Sequence, residues 1–254
     1  SNAFKDRTSF NEDIGDWEVG NVENMFAMFD GAIGFNQSIG DWNTSNVRTM
    51  HTMFRNASNF NQYIGDWDTS NVTTMSNMFE DAVSFDQPIG GWDVSSVTRM
   101  YRMFKSASSF NQDISGWNTG KVETMQAMLN GASSFNQSIG DWNTSNITTM
   151  NFLFFNADSF NQDISDWDIY AVTNTDKMFD GANNLSNRNK SKIHSSFSSN
   201  SNWSYDWSNF APEDLQAVTN LEIVENKPAG SFVGEFNASD PDDDQLNYQV
   251  VQQL

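Results

Sequence analysis

The chain has 254 residues and carries 13 Lys and Arg against 33 Asp and Glu, a net charge of −20 at pH 7. A surface this acidic repels phosphate backbones and anionic headgroups, which excludes nucleic acid and peripheral membranes as expected partners. Cysteine is absent and only His51 and His194 represent histidine, so disulfides, thiolate chemistry, zinc sites and histidine relays have almost nothing to work with. Aromatic residues nevertheless make up 14% of the chain and there are 12 Met, too much apolar material for a disordered acidic chain. No apolar run approaches the roughly 20 residues that cross a bilayer. A folded, non-enzymatic protein without membrane insertion is expected.

In chain order, residues 1–3, Ser1-Asn2-Ala3, read as the remnant of a cleaved expression tag and are set apart from the fold. Residues 4–185 hold seven units of 25 residues. Trp recurs at 17, 42, 67, 92, 117, 142 and 167, and Ile at 14, 39, 64, 89, 114, 139 and 164. Phe recurs from 10 to 160 at the same interval, with Leu185 next in the series, and every unit keeps an alanine from Ala32 to Ala182. Seven units without an insertion argue for a solenoid, in which each unit meets only its neighbours.

Within one unit, Val72, Met75, Met78, Phe79 and Ala82 form an apolar stripe spaced 3, 3, 1 and 3. That spacing predicts a helix of about three turns. Thr69, Ser70 and Asn71 stand ahead of it as acceptors for its first turn. Ile64 to Thr69 reads as a turn leading to a short strand, although its apolar spacing is not a clean alternation. Stacked strands repeat at about 4.8 Å and packed helices at about 10 Å. The expected fold is therefore an α/β solenoid that bends, with short parallel strands inside and helices outside.

The run Val72-Thr73-Thr74-Met75-Ser76-Asn77-Met78-Phe79, followed by Ala82, Phe85 and Trp92, resembles the 25-residue repeat of BspA-like bacterial surface proteins, a divergent branch of the leucine-rich repeats. The resemblance covers about Phe4 to Leu185. It implies a leucine-rich-repeat horseshoe on the outside of a bacterium, used for adhesion or recognition, with no catalytic residues.

Residues 186–210 depart from the repeat. Thr175 stands where Met is expected, and the stretch that follows is rich in Ser and Asn, with Ile193, Phe197, Trp203 and Trp207. An open solenoid end exposes apolar side chains, so a helical cap is expected here, a separate binding element being the alternative. Residues 211–254 hold nine acidic residues and one basic, Lys227. Leu221 to Asn226, Val233 to Phe236, Ala238 to Asp242 and Leu246 to Tyr248 resemble the opening of a bacterial cadherin-like domain. That resemblance implies a partial β-sandwich in a chain that stops inside the domain, with Glu225, Asp240 and Asp242 as calcium ligands. Calcium's preference for several hard oxygens agrees. No other cofactor is expected.

Two candidate surfaces follow from the repeat. Asp41, Asn43, Asp66, Asp68 and Asp93 belong to stacked rows that, flanking a strand, would line the inner face and bind cations or glycans. Their ordinary reading is hydrogen bonding to turns. Arg99, Tyr101, Arg102 and Lys105 would form a basic helix face for an acidic ligand, or pair with neighbouring carboxylates such as Glu80. The Asn-Gln pairs, such as Asn61-Gln62, read as a backbone-bonding ladder. Paired carboxylates recur in nearly every unit, so none marks an active site. The expected function is an extracellular or cell-surface binding scaffold for a protein or carbohydrate on a host, neighbouring cell or matrix. The alternatives are a structural spacer and, remotely, a glycan-processing enzyme.

Overall fold

The computed structural model describes residues 2–210 and the short pieces Gln216–Ala217 and Phe236–Asn237. Each 25-residue unit is one coil, and coils stack in register. The ring of Trp67 lies 6.4 Å from that of Trp92, 1° from parallel, and Phe54 lies 5.6 Å from Phe79. Within a coil, Phe54 and Phe60 stack at 4.0 Å, so the two phenylalanine rows interleave into one column. Rows of Ile, Val and Met complete a core with no solvent contact along most of its length. Each indole N–H from Trp42 to Trp167 donates to an isoleucine carbonyl 28 residues earlier, as Trp67 does to Ile39 at 3.0 Å. A large ring is thereby buried with its one polar atom satisfied.

The coils contain no helix. From Met75 to Ala82 alternate N–H groups go to different places. Those of Met75, Asn77, Phe79 and Asp81 donate to Arg99, Tyr101, Met103 and Lys105 in the next coil. Those of Met78, Glu80 and Ala82 close turns onto Met75, Asn77 and Phe79. Asn77 and Asp81 have φ of 58° and 60°, the left-handed conformation that interrupts an α-helix. An α-helix would keep its donors to itself and hold its neighbour at about 10 Å. The aromatic and asparagine rows hold the coils much closer, so the string of turns replaces it.

The expected strands are absent too. Parallel pairing is reduced to one bridging residue per coil, along Asn24, Thr49, Thr74, Arg99, Thr124 and Thr149. These residues lie in the half of the unit expected to be helical. The half from Ile64 to Thr69 is closed by turns from Trp67 N–H to the Ile64 carbonyl and Val72 N–H to that of Thr69. The chain is therefore not an α/β solenoid or a leucine-rich-repeat horseshoe, and the argument for a bend, which needed two different pitches, loses its premise. After the cap, the regular structure described is one antiparallel pair of two-residue strands, β1 (Gln216–Ala217) and β2 (Phe236–Asn237), not a β-sandwich. Glu225, Asp240 and Asp242 lie outside the described residues.

Two left-handed positions recur in each coil. One is filled by Asp6, Gly31, Asn56, Asp81, Ser106, Gly131, Asn156 and Gly181, mostly residue types that tolerate positive φ. The other carries Ala27, Thr52, Asn77, Arg102, Ala127, Phe152 and Lys177. A β-branched side chain such as Thr52 at φ 55° is strained by about 1–2 kcal/mol. Thr52→Gly relieves this strain but gives up the hydroxyl bond to the His51 carbonyl (2.8 Å), so its net effect should stay within about 1 kcal/mol of zero. Thr69→Gly, which removes the hydroxyl bond to the Asp93 carbonyl (2.9 Å), should cost about 1 kcal/mol or more. Thermal unfolding of the two variants checks the contrast.

The helix α1, Asn187–Phe197, closes the C-terminal end. Ser186 caps it by accepting the N–H of Asn189 at 3.2 Å, and its buried face is Ile193 and Phe197. Thr175, where the row of Met stops, donates its hydroxyl to the Asn202 carbonyl at 2.6 Å and accepts the N–H of Ser204 at 3.0 Å. Trp203, Tyr205 and Trp207 then cover the ring of Phe179 at 6.3, 5.9 and 5.3 Å. The Tyr205 hydroxyl accepts the Phe179 N–H at 2.8 Å, where a further coil would offer a carbonyl, and donates to Asp180 at 2.8 Å.

Burial first, then the bond to Asp180, raises the Tyr205 phenol well above its ordinary range. Its contribution to stability is therefore complete below the unfolded value of about 10 and is lost as pH rises beyond it. Tyr205→Phe should loosen the cap by about 1–2 kcal/mol and remove this alkaline sensitivity. Hydrogen exchange of residues 175–207 at pH 8 and pH 11 measures both effects.

Candidate binding surfaces

The predicted row of acids is exposed and occupied locally. Asn43, Asp68 and Asp93 accept the N–H groups of Ser45, Ser70 and Ser95 at 3.1, 3.0 and 2.9 Å, each closing a small turn. The bond from Ser95 holds the Asp93 carboxyl below its usual range. Asp66 accepts the Tyr63 hydroxyl at 2.8 Å, which raises that phenol. Asp41 is exposed. Among the described residues no group of three or more His, Asp or Glu is placed to hold a metal ion.

The predicted basic face is dispersed. Arg99 is exposed on the bridging row, and the Arg102 guanidinium lies 4.8 Å from the Tyr101 ring. Lys105 pairs with the buried Glu80 at 2.9 Å, and Arg102 approaches the same carboxylate at 3.8 Å. Sequence reasoning missed the larger pattern, although it was legible at the 25-residue register. Lys5, Asp30, Arg55, Glu80 and Lys105 occupy one position on successive coils with alternating sign. Asp30, only 2% exposed, is held by Arg55 through two bonds of 2.8 and 2.7 Å and lies 3.5 Å from Lys5. The bond to Asp30 raises the Arg55 guanidinium further above its already high value.

The amides behave as a ladder. Asn36 accepts the N–H of Asn61 at 2.9 Å and the side-chain amide of Gln62 at 3.1 Å, and the pattern repeats coil after coil. Asp86 substitutes for Asn without loss, because the position only accepts, from Asn111 N–H and Gln112.

A groove of about 480 Å3 runs between the last coil and the cap. Its walls include Asp168 and Tyr170 on one side and Ser196, Ser199 and Asn200 on the other. Asn200 fixes the cap loop by donating to the carbonyls of Ile169 and Val172 and accepting the N–H of Asn202. Ser196 also lines a second depression, between Asp163 and Lys192, which pair at 2.9 Å. Burial pulls the Asp163 carboxyl up, but its bonds to Lys192 and Ser165 outweigh this and leave it below its usual range. Tyr170 is 94% exposed, the most exposed large hydrophobic side chain among the described residues.

No helix among the described residues is long and apolar enough to cross a membrane. No curated protein and no solved structure matches the chain. The family described as "Mycoplasma protein of unknown function, DUF285" matches residues 1–117 and again residues 100–217. Two matches that between them take in the whole coil stack and its cap make the chain a member of that family.

Proposed function

We propose that the chain is a non-enzymatic scaffold on the outside of a bacterial cell, binding a protein or a carbohydrate of a host, a neighbouring cell or the matrix. The observation that carries this reading is what the polar side chains do. Carboxylates and amides that chemistry would need are committed, coil after coil, to turns, to the asparagine ladder and to the alternating ion row. Catalysis calls for two titratable groups in different environments, and a repeated environment supplies none. The resemblance of the repeat to BspA-like surface proteins supports the location, and the charge of −20 disfavours nucleic acid.

The immobilised 254-residue chain should bind at least one member of a panel of extracellular-matrix proteins and printed oligosaccharides saturably. Binding to none of them would leave a structural spacer. Release of soluble product from a polysaccharide mixture would overturn the non-enzymatic reading. Calcium, on the same proposal, belongs to the tail alone through Glu225, Asp240 and Asp242. A chelator should therefore leave the melting point of the coil stack unchanged in calorimetry.

A further inference from the structure

We propose that the groove between the last coil and the cap binds a neutral oligosaccharide, with Tyr170 as its stacking platform. The inference rests on the binding-scaffold reading and adds a site and a ligand class to it. Its starting point is a break in the repeat. The position of Tyr170 is Gly20, Ser45, Ser70, Ser95, Gly120 and Ser145 in the six earlier coils. The structural task there is small: the backbone N–H meets the preceding Asp or Asn, as Tyr170 N–H meets Asp168 at 2.9 Å and Ser145 N–H meets Asn143 at 3.1 Å. Serine or glycine performs it elsewhere, so the phenol ring is not needed by the coil.

The ring does not pack into the protein either, being 94% exposed. It stands in the one coil that borders the cap, at the rim of a groove whose far wall is pinned to the coil by Asn200. The site is thus preformed, which lowers the entropy lost on binding.

The chemistry of the walls selects the ligand. A flat aromatic face offers apolar contact to the C–H face of a sugar ring, while its hydroxyl stays in water. Ser196, Ser199, Asp168 and the Asn200 loop bring hydroxyls, a carboxylate and backbone groups that suit a ligand dense in hydroxyls. No cationic side chain lines the groove among the described residues, and Lys192 in the nearby depression is paired with Asp163, so phosphorylated, sulfated and carboxylated ligands are disfavoured. Its mostly polar walls disfavour an apolar ligand.

The test uses the full chain on an array printed with neutral, carboxylated and sulfated oligosaccharides, with the best neutral ligand then titrated by calorimetry. Tyr170→Ser restores the residue found at this register in Ser145, so the melting point should not change. Its affinity should fall about tenfold or more, the loss of one aromatic contact. Tyr170→Trp should retain binding. Asp168→Asn keeps the turn, as Asn143 does, and should weaken binding less. Equal affinity of the Tyr170→Ser variant and the native chain would overturn this site and leave the scaffold reading standing. Binding confined to charged glycans, or to a protein through Tyr170, would overturn the ligand class. Binding to no glycan overturns this proposal, and absence of matrix-protein binding as well overturns the scaffold reading with it.

Discussion

Trp92→Ala should cost about 3–5 kcal/mol and unfold the coils on both sides of it together. The ring is 3% exposed, lies 6.4 Å from Trp67 and 6.3 Å from Phe79, and gives its N–H to the Ile64 carbonyl at 3.0 Å. Truncation leaves a cavity between two coils that cannot close, because each is held in register by its own ladder bonds. It also removes one of the two hydrogen bonds that the Ile64 carbonyl accepts, the other coming from the Trp67 N–H, which adds to the transfer and cavity losses. In a stack, stability is the sum of unit and interface contributions, so a fault in the middle unit weakens two interfaces at once. Trp17→Ala removes a ring that is 48% exposed in the first unit and should cost well under half as much. Urea unfolding followed by fluorescence of the remaining tryptophans measures both. A loss below about 1 kcal/mol for Trp92→Ala would mean that the aromatic column is not the main source of stability.

Arg55→Ala should cost about 3 kcal/mol, an unusual price for a side chain that is about one-third exposed. The cause is the residue left behind. Asp30 is 2% exposed, and without the two Arg55 bonds the one cation left paired with it among the described residues is Lys5 at 3.5 Å, itself 40% exposed. On the other side, Glu80 keeps Lys105 at 2.9 Å and Arg102 at 3.8 Å, so the damage should stay at the Asp30 end of the row. The double change Asp30→Asn with Arg55→Gln removes both charges and should recover most of the loss. Raising salt to about 0.5 M should alter the single variant's deficit little, because a carboxylate so deeply buried is poorly screened. A deficit that vanishes in salt, or a double variant no better than the single, would reduce the row to ordinary surface pairing.

How much of this was legible beforehand differs from one feature to the next. The asparagine ladder was readable because Asn36, Asn61 and Asn111 recur with a glutamine beside each, as Gln87 stands beside the tolerant Asp86. The alternating ion row was equally present in the sequence, at Lys5, Asp30, Arg55, Glu80 and Lys105, but only becomes visible when charges are compared down the register rather than along a presumed helix. Tyr170 was likewise a departure from a row of small residues. Its exposure and the groove beside it depend on where the cap packs.

The 25-residue period by itself determined that the chain stacks and which side chains form the core, because in-register Trp, Phe, Ile and Met must meet their counterparts whatever path the backbone takes between them. It did not determine that path. Apolar residues spaced 3, 3, 1 and 3, as from Val72 to Ala82, share a face in a helix and equally in consecutive turns. The choice was made by the destination of the N–H groups. With the next coil about 5 Å away, Met75, Asn77, Phe79 and Asp81 find acceptors across the stack rather than along their own segment, and left-handed residues at Asn77 and Asp81 aim them there. That acceptor row exists only once the neighbouring coil has formed, so the tertiary structure alone decided against helix and strand.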